Sequence, residues 1–245
     1  PTDISLSSTS IAENSGTNAT VGTFSTTDPD SGNTFTYALV SGTGSTDNAS
    51  FSISGTTLVL KPSADFETKN SYSLRVSSTD AGGLSVEKAF TISVTDVNET
   101  PTNITLSNSS VAENVGPNAS IGTFSTTDPD VGQTFTYTLV SGTDDTDNDA
   151  FTLTSAGALT LKVAANYEAK NSYSIRVRST DSGSPVQYFE KSFTISVTDV
   201  NETPTDISLS STSIAENSGT NATVGTFSTT DPDSGNTFTY ALVSG

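Results

Sequence analysis

The chain has 245 residues, enough for one large domain or two ordinary ones. It contains no Cys, His, Met or Trp, and 27 acidic against 9 basic side chains leave a formal charge of −18. That composition excludes a disulfide framework, a Ser/His or Cys/His nucleophile, the usual zinc sites, and a basic surface that would release counterions from phosphates.

Only 32% of residues are hydrophobic, but they alternate with polar ones in short runs, as half-buried strands require. From the amino terminus, "DISL" with the stretch around Ile11 reads as a first strand and "TVGTFST" as a second. "TFTYALV" places Phe35, Tyr37 and Leu39 on one face. "FSIS" and "TLVL" are two short strands. "YSLRVSS" aligns Tyr72, Leu74 and Val76, and "AFTISVTDV" aligns Phe90, Ile92 and Val94. About seven strands in 100 residues, with Gly, Asn, Asp and Ser turns between them, predict an all-β Greek-key sandwich. Tyr37 and Tyr72 fall in phase with the apolar face, so core packing is expected of them. No run approaches the length of a membrane span.

The pattern recurs. Pro204–Gly245 repeats Pro1–Gly42 letter for letter, and Pro101–Gly142 is a close variant. The expected organisation is one repeat over 1–100, a second over 101–203, and the first part of a third over 204–245. Because the third copy matches the first better than the second does, pairs of repeats are expected to alternate along a longer array from which this stretch is cut. The alternative is a third repeat completed by another chain.

Five short acidic motifs return in order: "AEN" at Ala12–Asn14, "TDPD" at Thr27–Asp30, "ADFE" at Ala64–Glu67, "STD" at Ser78–Asp80 and "DVNE" at Asp96–Glu99. Without His or Cys, the metal ligands available are hard oxygens, which suit calcium or magnesium. In this order the motifs resemble the calcium-binding motifs of the cadherin superfamily, in wording close to bacterial cadherin-like repeats of large surface proteins. "DVNETP" is one residue shorter than the animal linker Asp-x-Asn-Asp-Asn-x-Pro and has Thr100 in place of its second Asn.

The resemblance implies a tandem array of sandwiches with calcium at each junction. It assigns to the first junction Glu13, Asp65, Glu67, Asp96, Asn98 and Glu99, together with Asp128, Asp130 and Asp181. It assigns to the second Glu113, Asn166, Glu168, Asp199, Asn201, Glu202, Asp231 and Asp233. Asp28, Asp30 and Asp80 match the upper-end ligands of the first repeat. The first set holds eight carboxylates, and two charges about 4 Å apart repel by roughly 4 kcal/mol at an effective dielectric near 20. Calcium accepts six to eight oxygens in irregular geometry and offsets that repulsion.

The expected function is a calcium-stiffened, non-enzymatic spacer in an extracellular, bacterial surface adhesin or filament, its partners being calcium, adjoining repeats, and like chains or a cell-surface or polysaccharide ligand. Two alternatives are a module gripping polysaccharide or a cell surface, and an accessory domain of a secreted enzyme. For "TDNAS" at Thr46–Ser50 and "TDDTDND" at Thr143–Asp149, turn chemistry is expected rather than metal.

Overall fold

The computed structural model describes residues 1–244. By its internal contacts the chain divides into two compact units. The first comprises Pro1–Thr100 with Asp128–Gln133 and Ser182–Gln187; the second comprises Pro101–Thr127, Thr134–Asp181 and the residues from Tyr188 on. Among the described residues there is no α-helix, and so none that is long and apolar enough to cross a membrane.

In the first unit, eight strands form two four-stranded sheets. The strands are β1 (Asp3–Leu6), β2 (Ser10–Ala12), β3 (Ala19–Thr27), β4 (Phe35–Leu39), β5 (Phe51–Ser54), β6 (Thr57–Leu60), β7 (Ser71–Asp80) and β8 (Ser85–Thr95). One sheet runs β1-β3-β6-β5 and the other β2-β8-β7-β4. Neighbours are antiparallel except β2, which lies parallel to β8 with Ile11 opposite Val94.

The first predicted strand is thus divided between the two sheets. The Ser8 hydroxyl accepts a hydrogen bond from the Ser10 amide and donates to the Ser10 carbonyl, which turns the chain from one sheet to the other. Where β3 passes this bend, its register with β6 shifts between Thr20 and Gly22. A β-carbon on Gly22 would stand 2.8 Å from the Ser7 hydroxyl and 2.9 Å from the Ser8 backbone nitrogen. Only glycine fits there.

Period-two alternation becomes a core between the sheets. Ile4, Leu58, Leu60, Leu74, Val76 and Ile92 are fully buried, and each such aliphatic side chain contributes about 1.5–3 kcal/mol. Tyr72 is buried, and Tyr37 packs against the same cluster, as expected from their phase. The Tyr37 hydroxyl lies 2.9 Å from the Thr26 hydroxyl, which in turn meets the buried Ser78 hydroxyl at 2.6 Å. The polar end of the tyrosine is therefore satisfied inside the sandwich.

The second unit repeats this plan with β9 (Asn103–Leu106), β10 (Ser110–Ala112), β11 (Ala119–Thr127), β12 (Thr136–Leu139), β13 (Phe151–Leu153), β14 (Ala158–Leu161), β15 (Ser172–Thr180) and β16 (Tyr188–Thr198). The sheets are β13-β14-β11-β9 and β10-β16-β15-β12. Next come β17 (Asp206–Leu209) and β18 (Phe227–Thr230), paired antiparallel as β1 and β3 are. Here the setting differs. Ile207 and Phe227 occupy the sequence positions of Ile4 and Phe24, yet they are 62% and 48% exposed, against 0% and 4%.

Candidate metal centres

Each group of acids is built around one buried glutamate. Glu13 follows β2 directly, with its own amide bonded to the Thr95 carbonyl at the end of β8. Its Oε2 accepts from the Phe66 amide at 2.8 Å and its Oε1 from the Val97 amide at 2.7 Å. One carboxylate thereby ties the "ADFE" loop to the "DVNE" segment. Glu113 does the same, accepting from Tyr167 at 2.8 Å and Val200 at 2.7 Å. These two amide donors hold the Glu113 carboxyl below the usual range, against burial.

Around each anchor other carboxylates converge. Glu13, Glu67, Asp96 and Asp130 each offer an oxygen within 4.8 Å of the others, and so do Glu113, Glu168, Asp199 and Asp233. Asp130 belongs to the first unit and Asp233 to the second, as their groups do. Asp130 is held by its Oδ2, which accepts from the Glu99 amide at 2.7 Å; Asp233 Oδ2 accepts from the Glu202 amide at 2.6 Å. The remaining oxygens, Asp130 Oδ1 and Asp233 Oδ1, are buried and have no hydrogen-bond partner.

Crowding raises several of these acids. Burial, with the charges of Glu13 and Glu99, pushes Glu67 up to about 6. Burial and Asp130 raise Asp96, and burial and Asp233 raise Asp199. In Glu168 the bond to its own amide works downward, but burial and the charges of Glu113 and Glu202 carry it upward. An all-oxygen donor set, with buried acceptor oxygens lacking hydrogen-bond partners and with mutually repelling charges, fits a hard divalent cation.

The other expected ligands stand differently. Asp65 accepts from the Thr68 amide at 2.7 Å and the Thr68 hydroxyl at 2.9 Å, capping the turn after "ADFE". Asn166 caps the equivalent turn through the Ala169 amide at 2.6 Å. Asn98 accepts from the Gln133 amide group at 2.5 Å and donates to the Pro185 carbonyl at 2.8 Å. Asn201 donates to the Glu202 carbonyl at 3.1 Å.

Asp128 and Asp231 close turns by accepting from the amides of Asp130 and Asp233. Asp181 is buried in the second unit and is not one of the four converging acids. Asp28 lies 2.9 Å from the amino group of Pro1 and accepts from the Asp30 amide, while Asp80 accepts from the Leu84 amide. Neither these two nor the exposed Asp30 enters a converging group.

Glu99 and Glu202 each accept a hydrogen bond from an asparagine that the ligand assignment passed over: Asn14 at 2.7 Å and Asn114 at 2.8 Å. The signal in the sequence is the third residue of the repeated "AEN".

Residues 107–198 match the family model of the cadherin domain. That stretch is a cadherin domain. Solved structures of cadherins share the fold over nearly the whole chain. Protocadherin gamma B2 extracellular cadherin domains 3–6 align with a TM-score of 0.66 and 21% identity, covering 94% of this chain and 56% of that one. The protocadherin gamma B7 EC3–6 cis-dimer structure gives 0.61 and 22%, covering 94% and 56%. Mouse cadherin-23 EC22–24 gives 0.64 and 20%, covering 95% and 78%. The chain spans a little over half the length of the two protocadherin chains. Its fold is the tandem β-sandwich of cadherin repeats.

Proposed function

We propose that this cadherin-like chain is a calcium-binding, calcium-stiffened stalk of an extracellular surface protein, in the manner of a bacterial adhesin or filament. Its repeats would be bounded at 1–100 and 101–203, with a third beginning at 204. The observation that carries the reading is the convergence of four carboxylates, twice over, each group including a buried aspartate oxygen without a hydrogen-bond partner. Glu13 and Glu113 would hold the site in shape, and Glu67, Asp96, Asp130 and their counterparts Glu168, Asp199 and Asp233 would supply oxygens. Calcium would supply the positive charge that lets these acids stay together. Extracellular calcium is millimolar, which suits modules whose dissociation constants are about 10⁻⁴–10⁻³ M. With neither His nor Cys in the sequence, Ser/His and Cys/His nucleophile sets are absent.

The test is thermal unfolding of the chain in excess chelator and in millimolar calcium. A ligand that binds only the folded form raises the midpoint, by about 2.7 kcal/mol of stability at a hundredfold excess over its dissociation constant. The midpoint should rise with calcium. An unchanged midpoint would remove the calcium reading.

A further inference from the structure

The asparagine after each anchoring glutamate bridges the parts of its group. The Asn14 amide donates to the Ala64 carbonyl at 3.0 Å, beside the "ADFE" loop, while its side-chain Nδ2 donates to Glu99 Oε1 at 2.7 Å. Asn114 repeats both contacts, to the Ala165 carbonyl at 3.1 Å and to Glu202 Oε1 at 2.8 Å. Both backbones are left-handed, with φ of 56° and 60°. Few residues tolerate that conformation: glycine readily, asparagine and aspartate with some ease. Glycine has no side chain to reach the glutamate, and aspartate would set a negative charge against it. Asparagine meets both demands with a short, neutral donor.

We infer that Asn14 and Asn114 are positioning residues, each holding one oxygen of Glu99 or Glu202 so that the other is kept for the ion. The inference rests on the calcium reading above. Glu202 Oε2, the oxygen that Asn114 does not take, is buried without a hydrogen-bond partner. Such an oxygen is costly unless something occupies it. A glutamate fixed beforehand loses less rotamer freedom when it coordinates, an advantage of up to roughly tenfold in affinity. A lysine in this place would hold the carboxylate too, but its charge would oppose the cation.

The test is calorimetric titration of the whole chain with calcium chloride. The double variant Asn14→Gly/Asn114→Gly keeps the backbone conformation and removes the donors; its affinity should fall by about three- to tenfold. Asn18→Gly/Asn118→Gly is the control, because these asparagines are also left-handed, with φ of 59° and 64°, and neither belongs to a group. It should bind as the wild type does. In a Glu99→Ala/Glu202→Ala background, Asn14→Gly/Asn114→Gly should bring no further loss. Melting in chelator separates positioning from stability: both glycine pairs should shift it alike, while only the first diminishes the rise produced by calcium. If the double variant does not fold, Asn14→Gly alone should weaken its own group. Wild-type affinity in Asn14→Gly/Asn114→Gly, or an equal loss in the alanine background, would overturn the inference while leaving calcium binding intact. A wild-type chain that takes up no calcium would instead overturn the calcium reading.

Discussion

Asp47 and Asp147 each spend both carboxylate oxygens on the fold. Asp47 pairs with Lys69 through Oδ1 and accepts from the Ser73 amide through Oδ2 at 2.8 Å; Asp147 does so with Lys170 and Ser174. Asn48 and Asn148 continue the work, accepting from the Arg75 and Arg176 amides. These loops staple themselves to β7 and β15, in line with a structural role for the two Asp-rich runs. Burial tends to raise the Asp47 carboxyl, but Lys69 and the Ser73 amide outweigh it and hold it below the ordinary range. A carboxylate depressed in the folded state contributes stability that is complete above its unfolded pKa, near about 4, and is lost as pH falls through the folded value. Urea unfolding at a series of pH values should therefore show Asp47→Asn losing less stability than the wild type below about pH 4. At pH 7, Asp47→Ala should cost about 2 kcal/mol, since a charged acceptor is removed from a half-buried amide. A second residue-scale prediction concerns Asp65 and Asn166, which cap the same turn with different charge. Asn166→Asp should keep the cap and tighten calcium binding by a few fold, and Asp65→Asn should weaken it comparably, through added or lost attraction to a divalent ion. Titration of the two variants measures it; no change in either would mean these residues serve the turn alone.

At the scale of the element, the bends between β1 and β2 and between β9 and β10 depend on Gly22 and Gly122 of the strands that cross them. A methyl at either position would collide with the backbone of the bend, at Ser8 or Asn108. Gly22→Ala should cost about 1–3 kcal/mol, whereas Gly32→Ala, where nothing stands within 4 Å, should cost only the strain of its positive φ. Chemical denaturation of the two variants makes the comparison. The strands themselves were legible from period two, because Leu74, Val76, Ile92 and Val94 declare their inward face in the local sequence. The division of the first strand was not. Ser7 and Ser8 look like ordinary polar residues until the Thr23 amide, sixteen positions away, is brought to the Ser7 hydroxyl at 2.9 Å. The candidate centres were legible as composition but not as geometry. Asp30 and Asp130 occupy the same place in "TDPD", yet one is exposed and the other 7% exposed beside Glu99. Burial of this kind comes from residues distant in the chain, and so did the parts played by Asn14 and Asp47.

For the whole molecule, the proposed function makes shape depend on the ion. Small-angle scattering in calcium and in chelator should give a longer maximum dimension with calcium, and equal dimensions would mean that the ion does not stiffen the chain. The exposed pair of β17 and β18 has a different consequence, one that concerns measurement. Residues 1–42 and 204–245 are identical in sequence, so protease digestion of this 245-residue chain releases from the two copies peptides that no mass spectrometer can tell apart. Amides in β1 and β3 lie over a filled core, whereas those in β17 and β18 sit beside exposed Ile207 and Phe227. Protection against deuterium follows that difference. A single peptide mass should accordingly carry two isotopic envelopes, one slow and one fast, in equal amounts from the first time point. It would look like a protein flickering between two states, when it is one sequence reporting from two places at once.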